Sequence, residues 1–81
     1  MKIQLKLFAV AKQLAGADTV EVDLPPAASV GQLRAAVTRQ YPELSGILAQ
    51  TTFAVDQEYA TDQTELAADS EVACIPPVSG G

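Results

Sequence analysis

The chain has no histidine, no tryptophan and a single cysteine, Cys74. Without histidine, the commonest acid–base side chain and the usual nucleophilic triads are missing. Histidine metal sites are missing too, and one cysteine among scattered carboxylates does not make a zinc cluster. A lone cysteine cannot form an intramolecular disulfide, which fits a reducing cytoplasm. The glycine-rich phosphate cradles are absent: there is no Gly-x-Gly-x-x-Gly and no Gly-Lys-Ser/Thr. Cations are scarce, five Lys and Arg against ten Asp and Glu, for a net charge of −5. The clustered positive charge that binds a nucleic-acid backbone is therefore lacking. No apolar run is long enough to span a bilayer, and the alternating N-terminus lacks the apolar core of a signal peptide. The expectation is a cytoplasmic protein that binds no nucleic acid, membrane, metal or cofactor.

What is present is the material of one small domain. Eighty-one residues leave no room for a second, and a chain of this size buries only roughly 60% of its unfolded surface. A deep catalytic pocket of its own is not expected, so chemistry belongs at an edge or in a partner. The 48% hydrophobic share supports a folded chain. The acidic balance suits a partner with a basic docking face, and equally suits simple solubility.

Periodicity supplies the elements. Ile3, Leu5 and Leu7 alternate with Lys2, Gln4 and Lys6, as in a strand with one buried face. Phe8, Ala11 and Ala15 fall at helical spacing in a short turn that Gly16 ends. Thr19 to Leu24 alternates again and stops at Pro25-Pro26. Ser29 and Gln32 have capping-box spacing, followed by a helical stripe of Val30, Leu33, Val37 and Tyr41 that Pro42 closes. Leu44 to Leu48 is expected to be a short turn or 3₁₀ piece. A third strand is expected at Thr51–Val55, a turn at 56–58, a short fourth strand at Tyr59–Thr61, and a last strand at Glu71–Ile75. The order β-β-α-β-(β)-β predicts a two-layer α+β domain of the β-grasp, or ubiquitin-like, kind. It has a mixed sheet, one main helix, and the first and last strands parallel at the centre.

Cys74 falls in the predicted last strand with no cation near it in sequence, so it is expected to be a buried structural residue rather than a nucleophile. The end of the chain, Pro76-Pro77-Val78-Ser79-Gly80-Gly81, is more informative. Two terminal glycines have a chance expectation of roughly 0.5%. Lacking Cβ atoms, they form an arm thin enough for a narrow slot, while the prolines favour an extended path. Six residues reach at most about 20 Å. The division expected is a domain over 1–75 and an arm over 76–81, the arm presenting the Gly81 carboxylate to another protein's active site. A frayed terminus without a role is the competing reading.

The run Val72-Ala73-Cys74-Ile75-Pro76-Pro77-Val78-Ser79-Gly80-Gly81 resembles the small, sulfur-carrier subunits of molybdopterin synthase. The segment Leu7 to Gly16 resembles that family's first helix, and Phe53-Ala54-Val55-Asp56 its strand ending in Val-Asn. Gln13 and Asp56 depart from the usual Glu and Asn. Ala68-Asp69-Ser70-Glu71 stands where Asp-Gly-Asp-Glu is common, which questions the geometry of that turn.

The resemblance implies a carrier, not a catalyst, working in a heterotetramer for molybdenum-cofactor biosynthesis. An E1-like activating enzyme would use ATP to adenylate Gly81, and a persulfide donor would supply sulfur to make a thiocarboxylate. The large subunit would then accept the arm and pass sulfur to the cyclic pyranopterin precursor. Gly80 would keep the arm slim, and Pro76, Pro77, Val78 and Ser79 would give reach and backbone hydrogen bonds. Docking is expected on the sheet face near the tail, with Tyr59 and Ile75 in an apolar patch, Lys12 as the basic contact and Phe8 beside them. Tyr59 and Phe8 as plain core aromatics, and Lys12 as a solvated charge, remain open. Also open are a carrier for thiamine thiazole or another thiolated product, a ubiquitin-like modifier, and an interaction module with an inert tail.

Overall fold

Alternating apolar side chains at Ile3, Leu5 and Leu7 pull strand β1 (Lys2–Leu7) onto a core, and every second residue stays exposed. The computed structural model describes residues 1–77. Strand β2 (Thr19–Asp23) follows the same rule, burying Val20 and Val22. Between them runs helix α1 (Ala9–Ala15), which ends where Gly16 adopts φ 69°, a left-handed conformation that suits glycine, and returns its N–H to the Lys12 carbonyl. Helix α2 (Val30–Gln40) starts at Ser29 with both arms of a capping box: Ser29 Oγ accepts from the Gln32 N–H, and Gln32 Oε1 accepts from the Ser29 N–H. A 3₁₀ turn at Pro42–Leu44 and helix α3 (Ser45–Leu48) lead to β3 (Thr52–Val55), β4 (Glu58–Tyr59) and β5 (Val72–Ile75).

The five strands form one sheet in the order β2-β1-β5-β3-β4. β1 and β5 are parallel at its centre and the other pairs antiparallel, the β-grasp arrangement expected. One face of the sheet packs against α2. Val30, Leu33, Ala36 and Val37 join Ile3, Leu5, Val22, Phe53, Val72 and Cys74 in a single buried cluster. Burying the valine, leucine, isoleucine and phenylalanine side chains among them stabilises by about 1.5–3 kcal/mol each. Gly31 marks a close approach at the start of α2: its N–H donates to the Asp62 carbonyl at 2.9 Å, and a Cβ there would lie 3.2 Å from that oxygen.

Several details differ from expectation. Strand β4 lies at Glu58–Tyr59 because the connection after Val55 has only two residues, Asp56 and Gln57, both at positive φ (51° and 72°). That conformation matches the twist of a two-residue hairpin. Tyr41 caps the end of α2 rather than lying within it; it still packs against the buried cluster, as the stripe implies, while its hydroxyl donates to the Glu21 carbonyl at 2.7 Å. The Ala68–Glu71 segment has no positive-φ residue. Its turn is closed by Ser70, whose N–H donates to the Ala67 carbonyl and whose Oγ accepts from the Ala67 N–H, so no glycine is needed there.

Candidate functional site

The face of the sheet opposite α2 is open. Strand pairing places Thr19, Lys6, Ala73, Ala54 and Tyr59 in one row across all five strands. The small side chains of Ala73 and Ala54 make a low floor, and larger groups stand around it. Tyr59 is 76% exposed and Phe8 43% exposed. Ile75, paired with Thr52, is half-buried on the same face. A shallow groove of about 590 Å³ runs over this floor. One wall is Lys2, Gln4, Lys6 and Phe8, and the other is Gln57 with the loop Ala68–Glu71. Exposed aromatics around an apolar floor are characteristic of a binding surface.

Strand β5 leads directly from this face to the tail. Pro76 is buried and Pro77 exposed. The expected carrier residue Gly81 and the arm residues Val78, Ser79 and Gly80 lie outside the described residues. The structure thus brings Phe8, Tyr59 and Ile75 onto one surface at the root of the arm, and it exposes both aromatics rather than placing them in the core. Lys12 stands apart on α1. Its ammonium lies 2.6 Å from the Asp18 carboxylate, whose pKa is lowered by that hydrogen bond and by the Lys12 charge. Both side chains are well exposed, so the pair leaves Lys12 accessible to a competing acid. Lys6 carries no carboxylate contact among the described residues and places its ammonium 5.9 Å from the centre of the Phe8 ring.

Cys74 is fully buried on the core face, as expected. Burial pushes its thiol up to about 11, although the Arg34 charge and a hydrogen bond with Thr51 act in the opposite direction. Sequence distance concealed that cation. Arg34 enters from α2, donates through Nη1 to the carbonyls of Leu48 and Thr51, and through Nη2 to Asp62 Oδ1 at 2.8 Å. Its guanidinium lies over the Phe53 ring at 5.0 Å. Sequence reasoning missed this residue; its one signal was an arginine four positions after Val30, on the flank of the apolar stripe. Arg34 ties α2 to the chain around α3 and serves the fold rather than the open face. Among the described residues no cluster of three or more His, Cys, Asp or Glu is placed to hold a metal ion. No described helix is long and apolar enough to cross a membrane.

Comparison with known proteins agrees with this geometry. Residues 5–81 match the ThiS family. The molybdopterin synthase sulfur carrier subunit of Caenorhabditis briggsae is 39% identical over 83 residues, an alignment covering 100% of this chain and 99% of that protein. The crystal structure of SAMP1 from Haloferax volcanii has a TM-score of 0.84 at 34% identity over 100% of both chains. A structure of the small archaeal modifier protein 1 of H. volcanii has a TM-score of 0.83 at 30% identity, covering 95% of this chain and 98% of that one. With a match along nearly its whole length, a shared β-grasp sheet and an open face at the root of the tail, the chain belongs to the ThiS family, alongside the molybdopterin synthase sulfur carrier subunits.

Proposed function

We propose that this chain is the sulfur-carrying small subunit of a molybdopterin synthase. The observation that carries the reading is the full-length likeness to a protein of that name. The open sheet face beside the tail-bearing strand β5 supports it. A carboxylate is a poor electrophile, so the Gly81 carboxylate is first joined to AMP by an activating enzyme that consumes ATP. The acyl-adenylate supplies a leaving group. The outer sulfur of the persulfide donor displaces AMP to give an acyl disulfide. A second thiol of the donor system then attacks the donor-side sulfur, leaving a terminal thiocarboxylate and oxidising the two thiols to a disulfide. The large subunit takes the loaded arm and directs its sulfur to the pyranopterin precursor. Gly80 and Gly81 keep the arm narrow, Pro76 to Ser79 extend it, and Phe8, Tyr59 and Ile75 hold the partner, with Lys12 meeting an acidic group. The lack of histidine agrees with a chain that leaves acid–base chemistry to its partner. A reducing cytoplasm suits its buried, unpaired thiol.

Intact mass after incubation with a molybdopterin-type activating enzyme, ATP and a sulfide source tests the proposal. The expected result is a gain equal to the exchange of one oxygen for one sulfur, localised to Gly81. No gain with an enzyme verified on its own carrier defeats the reading.

A second reading draws on the likeness to the small archaeal modifier protein. The same activated carboxylate could be transferred to a lysine amine, forming an isopeptide bond instead of a thiocarboxylate. Isopeptide adducts to Gly81 in digests of cell extract, with no sulfur gain, would favour it.

A further inference from the structure

The β3–β5 ladder runs from Thr52–Ile75 to Val55–Val72. The next pair, Asp56 and Glu71, lies beyond the end of both strands yet remains joined by two bonds. The Asp56 N–H donates to the Glu71 carbonyl at 2.7 Å. In a regular antiparallel ladder, the Glu71 N–H would donate back to the Asp56 carbonyl. Here the chain turns away at Asp56, whose φ is 51°. The Asp56 carboxylate takes over, accepting from the Glu71 N–H through Oδ1 at 2.9 Å. One residue therefore starts the β3–β4 turn and completes the ladder to the segment that enters β5. Only a short side chain that tolerates the left-handed region and carries an acceptor oxygen does both, which restricts the position to Asp or Asn.

The clasp bears on the open face. Glu71, Ser70, Asp69 and Gln57 form one wall of the groove, and Asp56 itself is not part of that wall. We propose that Asp56 is a positioning residue for partner docking: by holding Glu71 to the β3–β4 turn it fixes the groove wall beside the strand that carries the tail. The inference rests on the docking role given to this face under the proposed function.

Two variants separate the roles of Asp56. Asp56→Asn keeps both the turn and the acceptor. Asp56→Gly keeps the turn, since glycine accepts φ 51° without strain, and loses only the acceptor. Each is compared with the wild-type chain for affinity to the purified large subunit of molybdopterin synthase by titration calorimetry. Exchange of the Glu71 amide is followed by NMR, and melting temperature is recorded as a control. The expected result is wild-type affinity for Asp56→Asn. For Asp56→Gly we expect weakening by about three- to tenfold, the scale of one hydrogen bond, with faster Glu71 exchange and a folded domain. If the wild type binds and Asp56→Gly binds equally well, or Asp56→Asn is as weak as Asp56→Gly, the inference is overturned. If the wild type itself does not bind, the carrier reading falls and takes the inference with it. Unchanged Glu71 exchange in Asp56→Gly refutes the clasp whatever the binding result.

Discussion

At the scale of single residues, Cys74 shows how environment overrides residue type. A cysteine two residues before the Pro76-Pro77 tail invites a nucleophilic role, yet its side chain faces the core and its thiol is raised to about 11 by burial. The sign of the pH effect follows. The folded thiol holds its proton to higher pH than the unfolded one, whose value is near 9.0. Stability from this group is complete below about 9 and declines as pH rises from there towards 11. Denaturant midpoints measured across that window are expected to fall, and Cys74→Ala should flatten the part due to the thiol. At pH 8 a thiol-selective maleimide should label the native chain far more slowly than the unfolded chain. Rapid native labelling would contradict the burial. The burial of Cys74 was legible from its place in the last strand and from its residue type, since unpaired cysteine is among the most buried. The proximity of Arg34 was not, because 40 residues of chain separate them and only the fold brings them together.

At the scale of elements, local rules foretold most boundaries, and side chains reaching between elements account for what they missed. The capping box at Ser29 and the left-handed stop at Gly16 are encoded within four residues, so they could be read directly. The use of Gln40 and Tyr41 was hidden in the same way as that of Arg34. Strand β2 is an edge, and an unpaired edge invites another chain to add a strand. Gln40 covers it by accepting from the Asp23 N–H at 3.1 Å and donating to the Asp23 carbonyl at 3.0 Å, and the Tyr41 hydroxyl covers the Glu21 carbonyl. The double variant Gln40→Ala/Tyr41→Phe uncovers these groups without opening the core. It is expected to lose about 1–2 kcal/mol in chemical denaturation, and its sedimentation coefficient should rise with concentration more than the wild type's. An unchanged dependence would show that the edge is protected by something else. Arg34 serves a deeper join, bonding two carbonyls and an acid while lying over Phe53. Arg34→Ala is expected to cost about 3 kcal/mol, because charged donors are worth more than neutral ones and the carbonyls lose their partner. Arg34→Lys should recover only part of that, since one ammonium cannot reproduce the fork. Equal stability of Arg34→Ala and wild type would refute this account.

At the scale of the whole molecule, function follows from an asymmetry between two faces. α2 occupies one side of the sheet and the core uses it fully, so among the described residues the other side of the sheet is the broad surface left to a partner. The tail leaves from the central strand at the edge of that same surface. The architecture was legible because alternating strands, one capped helix and a proline-flanked tail admit few arrangements. The groove was not, because its floor is made of two alanines from strands far apart in sequence, which periodicity reads as neutral. With one open face and one tail, the activating enzyme and the large subunit are expected to exclude each other. In a reconstituted sulfur-transfer assay with preloaded carrier, catalytically inactive activating enzyme should inhibit by raising the apparent KM for the carrier, with kcat unchanged. Tyr59→Ala should weaken both partners, because truncating an exposed aromatic anchor removes contact area from either complex at little cost to a core it does not enter. A carrier that binds both proteins in one ternary complex by sedimentation would show that the two use separate surfaces, and the assignment of the open face as their common dock would fail.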